Sequence, residues 1–264
     1  MLIVEKGFDP PGFHIAADTV LWANAQMSRA NAFTFLGRLP EAEEAATAAV
    51  EGAADAADHT AVELTATMLL IRNAAGHPDP AHAGELLSRA ATCGPSMQAL
   101  ALHTAAVLGG PANRPLAIAR NQRAVDLART SGAVLIEGFA LYGLAVLEAA
   151  VAPASGARAQ VEVMAHYLAL GNHAHLRGFG RAIIVPLVEC GAFDAAAVID
   201  GATRGKAAVL PTLGDAIEEA IGMAKDELGP GYELAARRGE LMTGDELVDH
   251  ARRAVSELTG SLST

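Results

Sequence analysis

The sequence predicts an all-α protein, a right-handed solenoid of about five antiparallel helical hairpins closed by a C-terminal helical cap. Three observations predict this fold. Hydrophobic residues make up 52% of the chain but aromatic residues only 4%, and a composition dominated by Ala and Leu favours helices over sheets. Turn signals recur along most of the chain at a nearly constant spacing. Near the C-terminus, large apolar residues alternate with charged ones as they do in amphipathic helices. We expect the cap to bury Leu213, Ile217, Ile221, Leu228, Leu234, Leu247, Val248 and Val255.

The repeat is clearest at the residues that begin the second helix of each hairpin. These positions are Pro40, Pro80, Pro115, Ser155 and Ala192, in steps of 40, 35, 40 and 37 residues. Helical-hairpin solenoids have periods of about 34 to 47 residues. A Gly can end the first helix in a left-handed conformation, and a Pro suits the first turn of the next helix. Each unit therefore predicts one hairpin.

The segment from Gly37 to Val50 resembles the turn and second helix of a tetratricopeptide repeat, in which spaced Ala residues allow close packing. We expect one helical-repeat domain over 1–264, with hairpins in 12–207 and capping helices in 208–258. Pro186 should kink or break its helix, because an interior proline removes a helical hydrogen bond. The expected helix pairs are 15–36/40–57, 60–75/80–92, 96–108/114–131, 133–151/156–170 and 175–190/193–205, followed by helices 212–228, 230–238 and 243–258.

Charge and hydropathy exclude several classes of partner. The formal net charge is −11, which disfavours direct binding to nucleic acid or to anionic membranes. No apolar stretch reaches the roughly 18 residues that cross a bilayer, and the N-terminus lacks the pattern of a signal peptide. We therefore expect a cytoplasmic protein whose Cys93 and Cys190 stay reduced. The excess of Arg over Lys, sixteen against three, is typical of a high-GC genome such as that of an actinobacterium.

Motifs for catalysis and for cofactor binding are incomplete. The run Gly201-Ala-Thr-Arg-Gly-Lys-Ala207 has three residues between its glycines, where a phosphate-binding loop has four, and Ala207 stands where that loop has Ser or Thr. The pairs His173/His175 and His77/His82 each offer two zinc ligands, but a site needs three or four. No Gly-x-Ser-x-Gly nucleophile elbow occurs. We expect no enzymatic activity, no cofactor and no metal site.

The second predicted helix is strongly acidic and has two interpretations. Its carboxylates would form a solvated outer face, or they would form a docking surface for a basic partner. The residues concerned are Glu41, Glu43, Glu44, Glu51, Asp55 and Asp58.

The last third of the chain carries a family resemblance. The segments Val188–Ala202 and Glu227–Ala251 resemble the C-terminal helical-repeat region of the large actinobacterial regulators of the LuxR-type ATPase and adenylate-cyclase-linked classes. The matching positions are Leu228-Gly229, Tyr232, Ala235-Ala236, Gly239, Thr243 and Asp245-Glu246. Thr243 and Glu246 also have the spacing of a helix capping box. The resemblance implies a module excised from, or encoded apart from, such a transcriptional regulator, because no phosphate loop and no basic recognition helix is found in this chain.

These observations predict a non-enzymatic repeat module that acts as a sensor or scaffold. It would bind a partner protein, a peptide or a small effector in the groove lined by the first helices of the hairpins. The alternative is a protein that binds or modifies a small molecule in a pocket between the solenoid and the terminal helices. The oligomeric state stays open. Polar side chains on the first helices predict the groove-lining residues Asn24, Met27, Asn31, Glu63, His103, Tyr142, Arg177 and Arg181.

Overall fold

The computed structural model describes residues 19–54, 56–110, 112–205 and 213–261. These residues form helices joined by short turns, and no strand occurs among them. The all-α prediction is confirmed. The helices are α1 Thr19–Phe35, α2 Leu39–Gly52, α3 Asp58–Ala74, α4 His82–Ala90, α5 Pro95–Gly109, α6 Arg114–Ser131, α7 Val134–Ala149, α8 Pro153–Ala169, α9 His173–Gly180, α10 Ile184–Glu189, α11 Phe193–Thr203, α12 Gly214–Leu228, α13 Gly231–Glu240 and α14 Gly244–Ser261.

Consecutive helices pack as hairpins that stack into a solenoid. The pairs are α1/α2, α3/α4, α5/α6 and α7/α8, and α9 with α10 forms the first arm of the fifth pair, whose second arm is α11. Several expected boundaries are wrong, and the largest difference is at α2, which ends at Gly52 rather than at residue 57. The helix α4 begins at His82 rather than at Pro80, and α8 begins at Pro153 rather than at Ser155 or Gly156. Pro153 starts α8 because its fixed φ and missing N–H suit the first helical position.

The hairpins end their helices with one recurring hydrogen-bond pattern. After α1, Gly37 has φ +71°, the Arg38 N–H donates to the carbonyl of Phe33 at 2.9 Å, and the Gly37 N–H donates to the carbonyl of Thr34 at 3.0 Å. This is a Schellman motif, which needs a left-handed residue that glycine adopts without steric cost. The same pattern follows α6 at Gly132. The glycines that recur in the sequence therefore mark the positions where the helices end.

The helix that contains Pro186 is interrupted, as its sequence predicts. A 3-10 turn at Arg181–Ile183 separates α9 from α10. Pro186 cannot donate to the carbonyl one turn back at Ala182, so regular α-helical bonding fails in that turn. The interruption gives the first arm of the fifth hairpin two short segments.

Small residues set the closest helix contacts. A Cβ on Gly156 would lie 2.3 Å from the Cα of Ala149, and a Cβ on Gly52 would lie 2.3 Å from a ring carbon of Trp22. The Ala149 backbone cannot move aside, so the contact at Gly156 requires glycine, whereas the Trp22 side chain would have to shift to admit a Cβ at Gly52. The core between them is rich in buried alanines, including Ala23, Ala46 and Ala140, which explains how helices pack with so few aromatic residues.

The terminal helices cover the end of the fifth hairpin. Helix α12 packs on α10 and α11, α13 packs on α11, and α14 packs along α8 and α11. The large apolar side chains of Ile217, Ile221, Leu247 and Val255 are buried in the same core cluster as α8–α11. Leu234 is 66% exposed, and it does not belong to this packed face.

The capping box at the start of α14 is confirmed. The Thr243 hydroxyl accepts from the Glu246 N–H at 3.3 Å, and the Glu246 carboxylate accepts from the Thr243 N–H at 2.8 Å. Two of the orphan donors at the helix start are thus paired. None of the helices in the described ranges combines the length and the apolar character needed to cross a bilayer.

Candidate functional site

The residues predicted to line the groove fall into three structural groups. Asn24, Asn31 and Glu63 are exposed on α1 and α3. Met27 and His103 are 6% and 5% exposed, so they present almost no surface to a ligand, and their assignment to an open groove is wrong. Polarity was the signal used for His103, but a buried polar side chain can be paired inside the protein instead.

The remaining three residues are half-buried. Tyr142 packs by its ring against Phe179, with 4.6 Å between ring centroids. Arg177 and Arg181 direct their guanidinium groups at other helices, as described below, because a partly buried cation needs partners within the protein. A groove lined by the exposed members of the predicted set, Asn24, Asn31 and Glu63, stays a prediction.

The structure gathers aromatic rings from four hairpins, most of them on first helices. Three of the seven phenylalanines and two of the three tyrosines meet in one set of contacts together with two histidines. Helices α1, α5, α7 and α9, the first helices of their hairpins, contribute six of the seven rings, and α8 contributes Tyr167. We call this set the aromatic cluster; it consists of Phe35, His103, Phe139, Tyr142, Tyr167, His175 and Phe179.

His175 lies at the centre of the aromatic cluster. Its ring centroid is 5.2 Å from Tyr167, 5.5 Å from Phe179, 6.2 Å from Phe139 and 5.7 Å from Phe35. These separations are those of favourable stacked and edge-to-face pairs. Desolvation by burial lowers the pKa of His175, so this ring is neutral at physiological pH and acts as one more aromatic surface.

The contact between Phe35 and His175 joins opposite ends of the solenoid. Phe35 ends α1 in the first hairpin, whereas His175 begins the fifth, and the two rings meet edge to face. The superhelix therefore curls until its first and last hairpins touch. Phe35 is nevertheless 52% exposed, as are the neighbouring Leu36 at 57% and Leu135 at 49%, one helical turn before Phe139. The aromatic cluster thus has an apolar surface open to solvent.

Two phenol groups in the aromatic cluster lack hydrogen-bond partners. The hydroxyls of Tyr142 and Tyr167 are buried and, within the described residues, form no hydrogen bond. Desolvation by burial raises the pKa of both groups above the ordinary value of 10.0, so both stay protonated. The Tyr167 hydroxyl lies against Gly138, where a Cβ would come within 2.5 Å. An unpaired buried hydroxyl is costly, and an acceptor brought to Tyr142 would remove part of this cost.

A buried hydrogen-bonded pair, His103 and Asn121, packs against the rest of the aromatic cluster. The His103 Nδ1–H donates to the Asn121 Oδ1 at 3.0 Å, and the His103 ring stacks on Phe139 with 6.3 Å between centroids. The Asn121 Nδ2 has no partner among the described residues. It occupies the space beside Gly143, where a Cβ would lie 2.8 Å from this nitrogen.

Acid should destabilise the protein through its buried histidines. Desolvation by burial lowers the pKa of His103, His175 and His250, so the unfolded chain binds these protons at a higher pH than the folded chain. The free energy of unfolding should hold above about pH 6.5 and fall as the pH drops below it. His103→Gln should flatten this slope by up to about 1.4 kcal/mol per pH unit in urea titrations. The matched control is His59→Gln at an exposed position; equal slopes in both variants would contradict the assignment.

A second polar centre lies where α11 meets the terminal helices. Asp200 is 1% exposed and forms ion pairs with Arg181 at 2.7 Å and with Arg204 at 2.5 Å. The Tyr232 hydroxyl donates to its Oδ2 at 2.8 Å, and desolvation with the nearby carboxylate raises the pKa of Tyr232 above its ordinary value. Because protein groups surround the carboxylate, it acts as a structural link between α11 and α13.

Arg177 strengthens the same junction. Its guanidinium donates to the carbonyl of Ala202, near the end of α11, and to the carbonyl of Met242 at 3.3 Å, just after α13. The last carbonyls of a helix lack intrahelical partners, so Arg177 satisfies the end of α11 and joins it to the segment that follows α13. Buried apolar side chains of α11, α12 and α14 pack at this junction, and the ligand pocket that the alternative hypothesis places here stays a prediction. Arg177 and Arg181, which were predicted to line the groove, direct their guanidinium groups to partners within the protein.

The incomplete motifs have structural roles in the fold. Gly201 lies inside α11, where a Cβ would come within 1.9 Å of the Ala236 carbonyl oxygen, whereas Lys206 and Ala207 lie outside the described residues. His77 and His82 pair with Glu43 at 2.8 Å and with Asp79 at 2.7 Å. Within the described ranges, no three side chains of His, Cys, Asp or Glu gather as they would around a metal ion.

The aromatic cluster could have been found from the sequence. Phe139 and Tyr142 are three residues apart and His175 and Phe179 are four apart, so each pair lies on one face of a first helix. In a chain with 4% aromatic residues, that spacing on two successive first helices is an informative signal. The contact with Phe35 could not be predicted, because it depends on the curvature of the solenoid.

Comparison of the chain with protein-family models, with curated proteins and with solved structures finds no match. The aromatic cluster and the surfaces of the solenoid are therefore the features that bear on function.

Proposed function

We propose that this protein is a non-enzymatic helical-repeat module that binds a partner protein, a peptide or a small effector on the inner face of the solenoid. The observation that carries the proposal is the aromatic cluster with its exposed rim at Phe35, Leu36 and Leu135. Exposed apolar surface next to aromatic anchors is characteristic of binding sites. In solenoids, the inner face is the usual binding surface.

The proposed cellular role is that of a sensor or scaffold in a bacterial regulator, working in the cytoplasm. Its support is the resemblance of Val188–Ala202 and Glu227–Ala251 to LuxR-type regulators and the bias towards arginine. A partner that brings a large apolar side chain would cover the exposed rim at Phe35, Leu36 and Leu135. We therefore expect peptides with a large apolar anchor to bind.

Phe35→Ala should weaken such binding by about tenfold, because an aromatic anchor at the centre of a binding surface contributes more than 1 kcal/mol. Peptides would be selected from a random phage-displayed library against the whole protein, and their affinity would be measured by fluorescence anisotropy. Leu241→Ala, at a site that is 87% exposed on the terminal helices, is the matched control and should change the affinity less than twofold.

Two outcomes would sink the proposal. One is that selected peptides bind the Phe35→Ala variant as tightly as the unmodified protein. The other is that the protein consumes a metabolite when it is incubated with a cell extract, as measured by mass spectrometry. That result would favour the alternative of an enzyme that acts on a small molecule. Circular dichroism of each variant checks that a loss of binding does not come from a loss of helix.

A further inference from the structure

The outer face of the first hairpin carries a groove of about 500 Å³ between α2 and the turn after α3. Its floor is apolar and built from Leu39, Pro40, Ala48 and Ala75. Its rim is polar. We call it the α2 groove; its rim consists of Glu43, Glu44, Thr47, Glu51 and His77.

The lining residues form a stripe along α2. Five lining residues of α2 recur at helical spacings of three, four or seven positions, so they share one face of the helix. They are Pro40, Glu44, Thr47, Ala48 and Glu51. The stripe from Pro40 to Glu51 extends for about 16 Å at 1.5 Å per residue. This length matches two to three turns of a helix lying parallel to α2. The small side chains of Ala48 and Ala75 leave room on the floor for the side chains of such a helix.

The rim has uncompensated negative charge. Glu43 is paired with Arg72 at 3.2 Å and with His77 at 2.8 Å. Glu44 and Glu51 are exposed, and neither forms an ion pair with any residue that the structure describes. They lie seven residues apart, which is about two helical turns, so they are both on the side of α2 that faces the groove. A ligand for this groove therefore needs apolar side chains for the floor and two cations for the rim.

We propose that the α2 groove binds a basic amphipathic helix of a partner protein. Its apolar face would cover Leu39, Pro40 and Ala48, and Lys or Arg side chains two turns apart would pair with Glu44 and Glu51. Long basic side chains suit this place, because their methylene stems pack on apolar surface while the charged ends reach the rim. Helix-in-groove recognition uses the same combination. The surface is separate from the aromatic cluster and does not depend on the function proposed for it.

A synthetic peptide tests the proposal directly. The probe is a fluorescein-labelled helical peptide of about 14 residues, with Leu and Ala on one face and Arg at positions seven apart on its flank. In fluorescence anisotropy with the whole protein it should bind, and the same peptide with Gln in place of Arg should bind at least tenfold more weakly. Affinity should also fall severalfold between about 50 and 300 mM salt, because exposed ion pairs are screened.

The decisive variant is Glu44→Lys/Glu51→Lys, which should lower the affinity for the Arg peptide by at least tenfold. The matched control is Glu219→Lys/Asp226→Lys on α12, which changes the net charge equally at two exposed carboxylates and should alter the affinity less than twofold. Phe35→Ala should also leave this affinity unchanged, which separates the α2 groove from the aromatic cluster. If both double variants weaken binding of the Arg peptide equally, the loss of affinity comes from net charge alone and the proposal is wrong.

The other possible occupant is a second copy of this chain, whose exposed Arg237 and Arg253 lie on the terminal helices. Sedimentation velocity distinguishes it. If the unmodified protein dimerises and Glu44→Lys/Glu51→Lys restores the monomer, the groove belongs to a self-association interface and the proposal of a separate basic partner is wrong. A protein that stays monomeric while it binds the Arg peptide supports the proposal.

Discussion

Gly239→Ala should destabilise the protein by about 3 kcal/mol or more in urea unfolding. A Cβ at Gly239 would lie 1.8 Å from the Val198 carbonyl oxygen and 2.8 Å from the Ala202 amide nitrogen. These are backbone atoms of α11 and cannot move aside as a flexible side chain would. The helices α11 and α13 must separate to admit even one methyl group, and overpacking of this kind costs about 1 to 3 kcal/mol and occasionally more.

The control uses the same substitution on the neighbouring helix. Gly222 lies inside α12, and a Cβ there would meet no atom within 4 Å. Gly222→Ala should therefore stabilise the protein by up to about 1 kcal/mol, because alanine has a higher helix propensity than glycine. If the two Gly→Ala substitutions change the free energy of unfolding in opposite directions, the effect of packing is distinguished from the effect of helix propensity. A Gly239→Ala variant as stable as Gly222→Ala would show that α11 and α13 are not in such close contact.

Asp200→Ala should cost about 3 to 5 kcal/mol of unfolding free energy. The carboxylate is almost fully buried and is the common partner of Arg181, Arg204 and Tyr232. Its removal leaves the Tyr232 hydroxyl without this acceptor and leaves the partly buried Arg181 with the exposed Glu218 carboxylate, at 3.2 Å, as its ion-pair partner. A charge that loses its buried partner is strongly destabilising. Asp200→Asn keeps an acceptor for the Tyr232 hydroxyl but loses the charge, so its cost should be smaller.

Asp194→Ala on the same helix is the matched control. Asp194 pairs with Arg238 at 2.6 Å, but its side chain is 61% exposed and that of Arg238 is 58% exposed. Solvent screens this pair, and exposed pairs contribute about 0 to 1 kcal/mol. If Asp194→Ala and Asp200→Ala lose equal stability in urea titrations, the ionic centre at Asp200 does not hold α13 and the fifth hairpin together.

Much of the fold follows from local features of the sequence. The turn glycines and prolines set the helix ends, since their backbone preferences act through one or two residues, and the Schellman motif at Gly37 and the capping box at Thr243 are examples. Leu234 shows where this reasoning fails. Its place in an amphipathic pattern suggested burial, but α13 is short and its closest contact with α11 runs through Gly239 and Ala236, which turns Leu234 to solvent.

The candidate site was less predictable. Polarity on the first helices pointed to groove residues, but His103 pairs with Asn121 and Arg177 with two carbonyls. A polar side chain in a helical sequence is compatible with solvent, with a ligand or with a partner in the protein, and its spacing along the helix is the same in all three cases. Only the positions of the neighbouring helices distinguish them.

The sequence by itself determined the all-α class, the repeated hairpins and most of the helix ends, because each of these depends on residues a few positions apart. The tertiary structure decided that Phe35 meets His175, that Asp200 sits among Arg181, Arg204 and Tyr232, and that α2 borders an open groove. These features depend on how far each hairpin is rotated against the next. Small rotations at each interface add up along the solenoid, so residues 140 positions apart in the sequence, such as Phe35 and His175, are brought into contact by packing that no local pattern records.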